Sequence, residues 1–113
     1  MADIYNLDVA QGSSIYFRIV AKDDNSQPLD LTNYNVSGYV RHRYTDTGIV
    51  LNLSPTIDGS FISGFIDVDV AGASTALLPV MQGVYDIEIS NKYTSYQTKV
   101  VKGLFNVEPE VTH

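Results

Sequence analysis

Carboxylates are the most plentiful reactive side chains in this sequence, thirteen Asp and Glu against seven Lys and Arg. Two pairs fall two residues apart, Asp67 with Asp69 and Asp86 with Glu88. On an extended strand each pair shares one face. Paired carboxylates could serve glycoside hydrolysis, which needs about 5–9 Å between the two groups. They could also hold Ca²⁺, which takes oxygen ligands. The wet face of an antiparallel sheet displays the same spacing with no chemistry attached. Asp23-Asp24-Asn25 is a second oxygen-rich run, but it lacks the glycine and distal glutamate of an EF-hand loop. His42 shares its strand phase with apolar residues, the setting of a hydrogen-bonded structural histidine, and His113 is the last residue, so the two make no ligand set. Ser13 and Ser14 follow Gly12 without a Gly-x-Ser-x-Gly elbow. Gly48, Gly59, Gly64 and Gly72 are scattered and form no phosphate-cradling loop. With no cysteine, disulfides, thiolate nucleophiles and Cys-based zinc or iron–sulfur sites are excluded. The expectation is a chain without catalytic residues, metal or cofactor, and not an enzyme.

The elements that must position these residues are strands. Ser13 to Lys22 alternates, with Ile15, Phe17, Ile19 and Ala21 on one face and Tyr16, Arg18, Val20 and Lys22 on the other. Asp23 to Pro28 is a turn by composition. Val36 to Tyr44, Ile49 to Leu53, Ser60 to Val70, Gly83 to Asn91 and Ser95 to Val107 read as further strands, and Ile4 to Val9 as an additional edge strand. The one helical signal is Ala71 to Leu78, where Ser74 could cap a short turn over residues 73–78 that Pro79 ends. Parallel βαβ units need connecting helices of about ten residues or more, and there is room for none. Six to eight strands at this spacing favour an all-β antiparallel sandwich. Its predicted core is Ile15, Phe17, Ile19, Val36, Val40, Ile66, Val68, Tyr85, Ile87, Ile89, Phe105 and Val107.

At 113 residues the chain is expected to be one domain, residues 1–113. Its apolar fraction of 44% argues against disorder. A formal charge of −6, with only Arg41 and Arg43 as a close cationic pair, argues against nucleic-acid binding and against anionic membrane surfaces. The N-terminus carries no basic segment followed by an apolar run, so no signal peptide is read and synthesis in a cytoplasm is expected. Eight residues are Tyr and none is Trp. Tyr16, Tyr39, Tyr44, Tyr93 and Tyr96 fall outside the predicted core. They are the candidate partner-binding residues, since a Tyr ring supplies contact area and a hydroxyl handle.

Four segments occur in a telling order: Pro28-Leu29-Asp30-Leu31-Thr32-Asn33-Tyr34-Asn35-Val36, Leu77-Leu78-Pro79, Gly83-Val84-Tyr85-Asp86-Ile87-Glu88-Ile89, and Val107-Glu108-Pro109-Glu110-Val111-Thr112. Together they resemble small immunoglobulin-like proteins encoded among tailed-bacteriophage structural genes, and in outline the N-terminal domains of phage upper baseplate proteins. Tyr85, just after Gly83, resembles the tyrosine corner of immunoglobulin-like sandwiches. The sequence departs from the group's pattern at Asn33, where Gly is commoner, but both tolerate left-handed backbone. The resemblance implies a virion component of the neck, tail or baseplate, assembled in the host cytoplasm. It implies other virion proteins and further copies of itself as partners, and it transfers no catalytic residue. The terminal segments, Met1–Ala10 and Glu108–His113, are then candidate docking arms. The competing expectation is a carbohydrate- or host-surface-binding sandwich, using exposed Tyr rings to stack on sugars.

Overall fold

The computed structural model describes residues 3–109. Among these residues nine strands are present: β1 (Asp3–Ile4), β2 (Leu7–Ala10), β3 (Ile15–Val20), β4 (Tyr34–Arg41), β5 (Leu51–Asn52), β6 (Thr56–Ile57), β7 (Phe65–Val70), β8 (Met81–Asn91) and β9 (Gln97–Glu108). A single helical turn, α1 (Gly72–Thr75), joins β7 to β8. One sheet has the order β1-β9-β8-β4-β5, with β2 also on β9, and the other the order β3-β7-β6. This is an all-β sandwich of a six-stranded and a three-stranded sheet.

Alternation explains the layers. On β8 the residues Gly83, Tyr85, Ile87 and Ile89 are buried, and Val84, Asp86, Glu88 and Ser90, which alternate with them, are half-exposed. Ile66, Val68 and Val70 of β7 meet them from the other sheet, joined by Val40, Val101, Phe105 and Val107. Three predicted core residues are only half-buried, namely Phe17, Ile19 and Val36. All three point inward; for Phe17 and Ile19 the smaller sheet ends at β3 and leaves that side of the sandwich open, whereas Val36 stands on β4 of the larger sheet. Leu31, Leu53, Val9, Ala21, Leu78 and Thr75 complete the core from loops and short elements, where no period marks them.

Several boundaries differ from the sequence reading. The strand expected over Ser60 to Val70 begins only at Phe65. Phe61–Ser63 forms a 3-10 turn, and Gly64 takes φ +72. A Cβ there would meet the Ala21 carbonyl oxygen at 2.6 Å, so the glycine lets two backbones touch. Ile62, assigned to the face of Ile66, is therefore exposed. The strand expected over Val36 to Tyr44 runs Tyr34–Arg41, which leaves His42 exposed rather than in an apolar phase. Ile49 to Leu53 shrinks to Leu51–Asn52. The helical turn starts after Ala71, with no side-chain cap from Ser74. Thr75 anchors it, donating its hydroxyl to the Ser13 carbonyl at 2.7 Å.

The N-terminal segment is not a free arm over residues 3–10. β1 and β2 run parallel to β9, with Asp3 opposite Val101 and Val9 opposite Val107. The expected sandwich was antiparallel throughout, so this parallel edge is a correction. The geometry follows from the connection: the Gln11–Ser14 turn, with Gly12 at φ +86, carries the chain from one sheet to the other. Between β1 and β2, Asn6 accepts the Leu104 N–H through its Oδ1 at 2.9 Å, so the interruption stays hydrogen-bonded. Of the C-terminal segment, Glu108 closes β9, and residues 110–113 lie outside the described residues, His113 among them.

Candidate interaction surfaces

The five tyrosines selected from the sequence do not gather into one surface. Tyr16 stands on the outer face of β3, 65% exposed. Directly opposite it on β7 is Asp69. The next row on the same face pairs Arg18 with Asp67. Arg18 donates from Nε to Asp67 Oδ1 at 2.6 Å and from Nη2 to Oδ2 at 3.0 Å, a bidentate fork. A longer contact at 3.4 Å reaches Asp58. The same guanidinium lies 4.5 Å from the centre of the Phe65 ring. The hydrogen bond to Asp67 raises the Arg18 pKa further above its ordinary value, against a smaller opposing effect of burial.

Tyr39 and Tyr44 belong to the outer face of the larger sheet. Tyr39 is half-buried on β4, opposite Asp86, with the Arg41 guanidinium 5.2 Å from its ring centre. Tyr44 folds back from the loop after β4 and lies over β8 and β9. Its hydroxyl is 3.3 Å from the carbonyl oxygens of both Tyr85 and Gly103. Lys99 stands 5.2 Å from its ring centre and pairs with Asp86 at 3.1 Å. Burial raises the Tyr44 phenol pKa, with Asp86 adding to the shift. The sequence places Tyr44 at the end of a Val36–Tyr44 strand and outside the core; it is outside the core, but past the strand end, and a side chain that doubles back over a sheet leaves no periodic trace.

Tyr93 and Tyr96 sit in the β8–β9 turn, 79% and 53% exposed. Tyr96 meets Tyr34 edge to face, with ring centroids 6.3 Å apart. These two rings wall a groove of about 480 Å³ at one end of the sandwich, floored by Ala21, Leu29 and Ile89. Its rim carries Asp3, Asp23 and Asp24 against Lys22 and Lys99. Asp23 Oδ1 is already engaged, accepting the N–H groups of Asn25 and Gln27 at 2.9 and 3.0 Å. The groove leaves no mark in the sequence, since its lining comes from five separate stretches of the chain.

The paired carboxylates do not converge. Asp67 is held by Arg18, Asp86 by Lys99, and the two pairs belong to opposite sheets. Among the described residues, no group of three His, Asp or Glu side chains stands close enough to share a metal ion. Asp30 has its pKa lowered by hydrogen bonds from the Thr32 hydroxyl and N–H, a local turn contact. The strongest perturbation belongs to Tyr85, whose burial pushes its phenol well above the ordinary range. Its hydroxyl donates to the Tyr5 carbonyl, across the sequence from β8 to the β1–β2 junction. A tyrosine corner bonds backbone a few residues upstream; here the bond ties the N-terminal edge to the core instead.

No protein-family model and no curated protein matches this chain. Among solved structures, a family 123 glycoside hydrolase from Clostridium perfringens is similar at 12% identity and a TM-score of 0.43. The match covers 96% of this chain but 23% of the hydrolase. A likeness so slight carries no argument about activity.

Proposed function

We propose that this chain is a non-enzymatic assembly module of a tailed-phage particle, built into its neck, tail or baseplate. The observation that carries the reading is where the reactive and sticky side chains sit. One carboxylate of each candidate pair, Asp67 and Asp86, is occupied by a cation, on opposite faces, while aromatic rings stand out on both faces and at the hairpin tip. That distribution suits contact with protein surfaces, which favour Tyr and Arg. The resemblance of the Pro28–Val36 and Gly83–Ile89 segments to phage structural proteins supplies the setting. Its partners are then other virion proteins and further copies of the chain. The experiment is to tag the chain in cells that produce particles and to analyse purified tails by mass spectrometry. Stoichiometric incorporation supports the reading, and tails that lack the chain at every stage of purification defeat it.

One observation favours a second reading, a carbohydrate-binding module. The groove beside Tyr34 and Tyr96 offers an exposed ring next to Asp23 and Asp24, the combination that stacks a sugar ring and fixes its hydroxyls. Reproducible binding on a glycan array, lost in Tyr96→Ala, would select it over assembly.

A further inference from the structure

The smaller sheet ends in β3, a strand whose outer edge no other strand of the described residues covers. β3 reads Ile15-Tyr16-Phe17-Arg18-Ile19-Val20, six residues with one charge and no proline. Its ladder fixes which backbone groups are free. The Ala21 N–H donates to the Gly64 carbonyl at 2.8 Å, one rung beyond the Val20–Phe65 pair. On the far side of β7, the Asp58 N–H donates to the Phe65 carbonyl at 3.0 Å, so Phe65 turns its backbone away from β3. Both bonds set the same alternation. Ile15, Phe17 and Ile19 spend their N–H and C=O groups on β7. Tyr16, Arg18 and Val20 turn theirs outward, to an edge that no strand of the described residues occupies. An uncovered apolar edge of this kind is a template for another strand.

The side chains at this edge also lack cover. Phe17 and Ile19 face inward yet remain half-buried. Tyr5, 52% exposed, lies 6.3 Å from Phe17 between ring centroids, and Ile4 beside it is 73% exposed. A cleft of about 390 Å³ runs between β2 and β3, lined by Tyr5, Leu7, Ile15, Tyr16 and Phe17.

We propose that a second copy of this chain lays its own β3 antiparallel along this edge, joining the two three-stranded sheets into one across a twofold axis. The inference gives the assembly reading a specific partner. Strand chemistry selects the register. A twofold axis through the sheet places residues of one face opposite each other, so it passes through a residue position and not between two. An axis at Arg18 sets two guanidinium groups directly opposite, which is unfavourable. An axis at Phe17 instead sets Arg18 of each copy opposite Tyr16 of the other, a cation against a ring. It uses the outward backbone groups of Tyr16 and Arg18, and it opposes the two Phe17 rings at a non-hydrogen-bonded site, where strands come closest.

The experiment is sedimentation equilibrium of the full chain, followed by two kinds of variant. The expected mass is twice the chain's 12.4 kDa. Tyr16→Pro removes an N–H that the single chain does not use, and proline is tolerated at an edge strand. It should weaken pairing roughly tenfold or more while circular dichroism retains the wild-type melt. The chain has no cysteine, so one introduced thiol can form a disulfide only between copies. Phe17→Cys should cross-link under mild oxidation and Arg18→Cys should not, because opposed non-hydrogen-bonded positions bring Cα atoms within disulfide reach. A chain that stays single up to about 1 mM overturns the proposal. Pairing unaffected in a folded Tyr16→Pro, or cross-linking through Arg18→Cys alone, also overturns it. If Tyr16→Pro fails to fold, the two cysteine variants decide. A chain that is single in solution yet present in particles ends this proposal and leaves the assembly reading standing, and a paired chain absent from particles does the reverse.

Discussion

Tyr85 joins three parts of the molecule through one side chain. It is 1% exposed, its ring packs against Phe105 at 6.4 Å between centroids, and its hydroxyl donates to the Tyr5 carbonyl. Tyr85→Phe keeps the ring and removes the bond, leaving that carbonyl without its donor. The expected loss is about 1–2 kcal/mol, read as a fall in Tm of roughly 4–8 °C for a domain of this size. The same residue sets a pH dependence. Its folded pKa is raised by burial, so the folded state resists ionisation that the unfolded chain undergoes near the ordinary phenol value of about 10. The contribution is therefore complete below that value and is lost as the pH rises through the folded pKa. Denaturant melts between pH 9 and pH 11 should show wild type losing stability faster than Tyr85→Phe; parallel curves would remove Tyr85 from the alkaline limb. Ile87, 0% exposed at the centre of β8, marks the opposite extreme. Ile87→Asp buries a carboxylate without a partner, a change worth several kcal/mol out of about 5–15 for a whole domain. Cooperative thermal unfolding should disappear, and a normal melt would refute the core placement.

At the scale of elements, the N-terminal strands test how far the fold depends on its first residues. β2 buries Val9 and pairs four residues with β9, while Tyr5 accepts the Tyr85 hydroxyl. Deleting residues 1–10 removes one buried aliphatic, worth about 1.5–3 kcal/mol, and leaves the buried Tyr85 hydroxyl without its acceptor. The truncated chain should lose at least about 3 kcal/mol in urea melts. A truncation as stable as the parent would restore the docking-arm reading that the sequence suggests. The long strands were legible because period two is strong there: the alternation of Gly83 to Ile89 and of Val101 to Val107 is the alternation of burial in β8 and β9. What escaped was whatever depends on contact rather than period. Gly64 interrupts an apparently continuous run because Ala21 and Leu29 press against it, and neither neighbour is near it in sequence. The half-burial of Phe17 and Ile19 escaped for a related reason. Period tells which way a side chain points, but not whether the opposing layer extends far enough to cover it. The aromatic candidates divide the same way. Exposure at Tyr16 and Tyr93 follows from strand phase and turn composition, whereas the path of Tyr44 over β8 and β9 is set by backbone carbonyls one and two strands away from β4.

For the whole molecule the governing quantity is charge. A net −6 is spread over a body of 45 × 29 × 21 Å. At 0.01 M salt the screening length is about 30 Å, so nearly every carboxylate feels the others; at 0.15 M it is about 8 Å and only near neighbours interact. Two effects then oppose each other as salt rises. The ion pairs of Arg18 with Asp67 and of Lys99 with Asp86 lose strength, but partly exposed pairs contribute only about 0–1 kcal/mol each to begin with. The diffuse repulsion among the excess acids relaxes at the same time, and it acts on the compact chain more than on the expanded one. Repulsion also opposes the approach of two like-charged copies along β3. Raising salt from 10 to 150 mM should therefore raise the melting temperature and shift the chain toward the pair, with both effects read on one sample series by calorimetry and sedimentation. A melting temperature that falls with salt would mean that the Arg18 fork with Asp67 and its neighbours outweighs the net charge. In that case Asp67→Asn would be the most destabilising single change on the outer face of the smaller sheet.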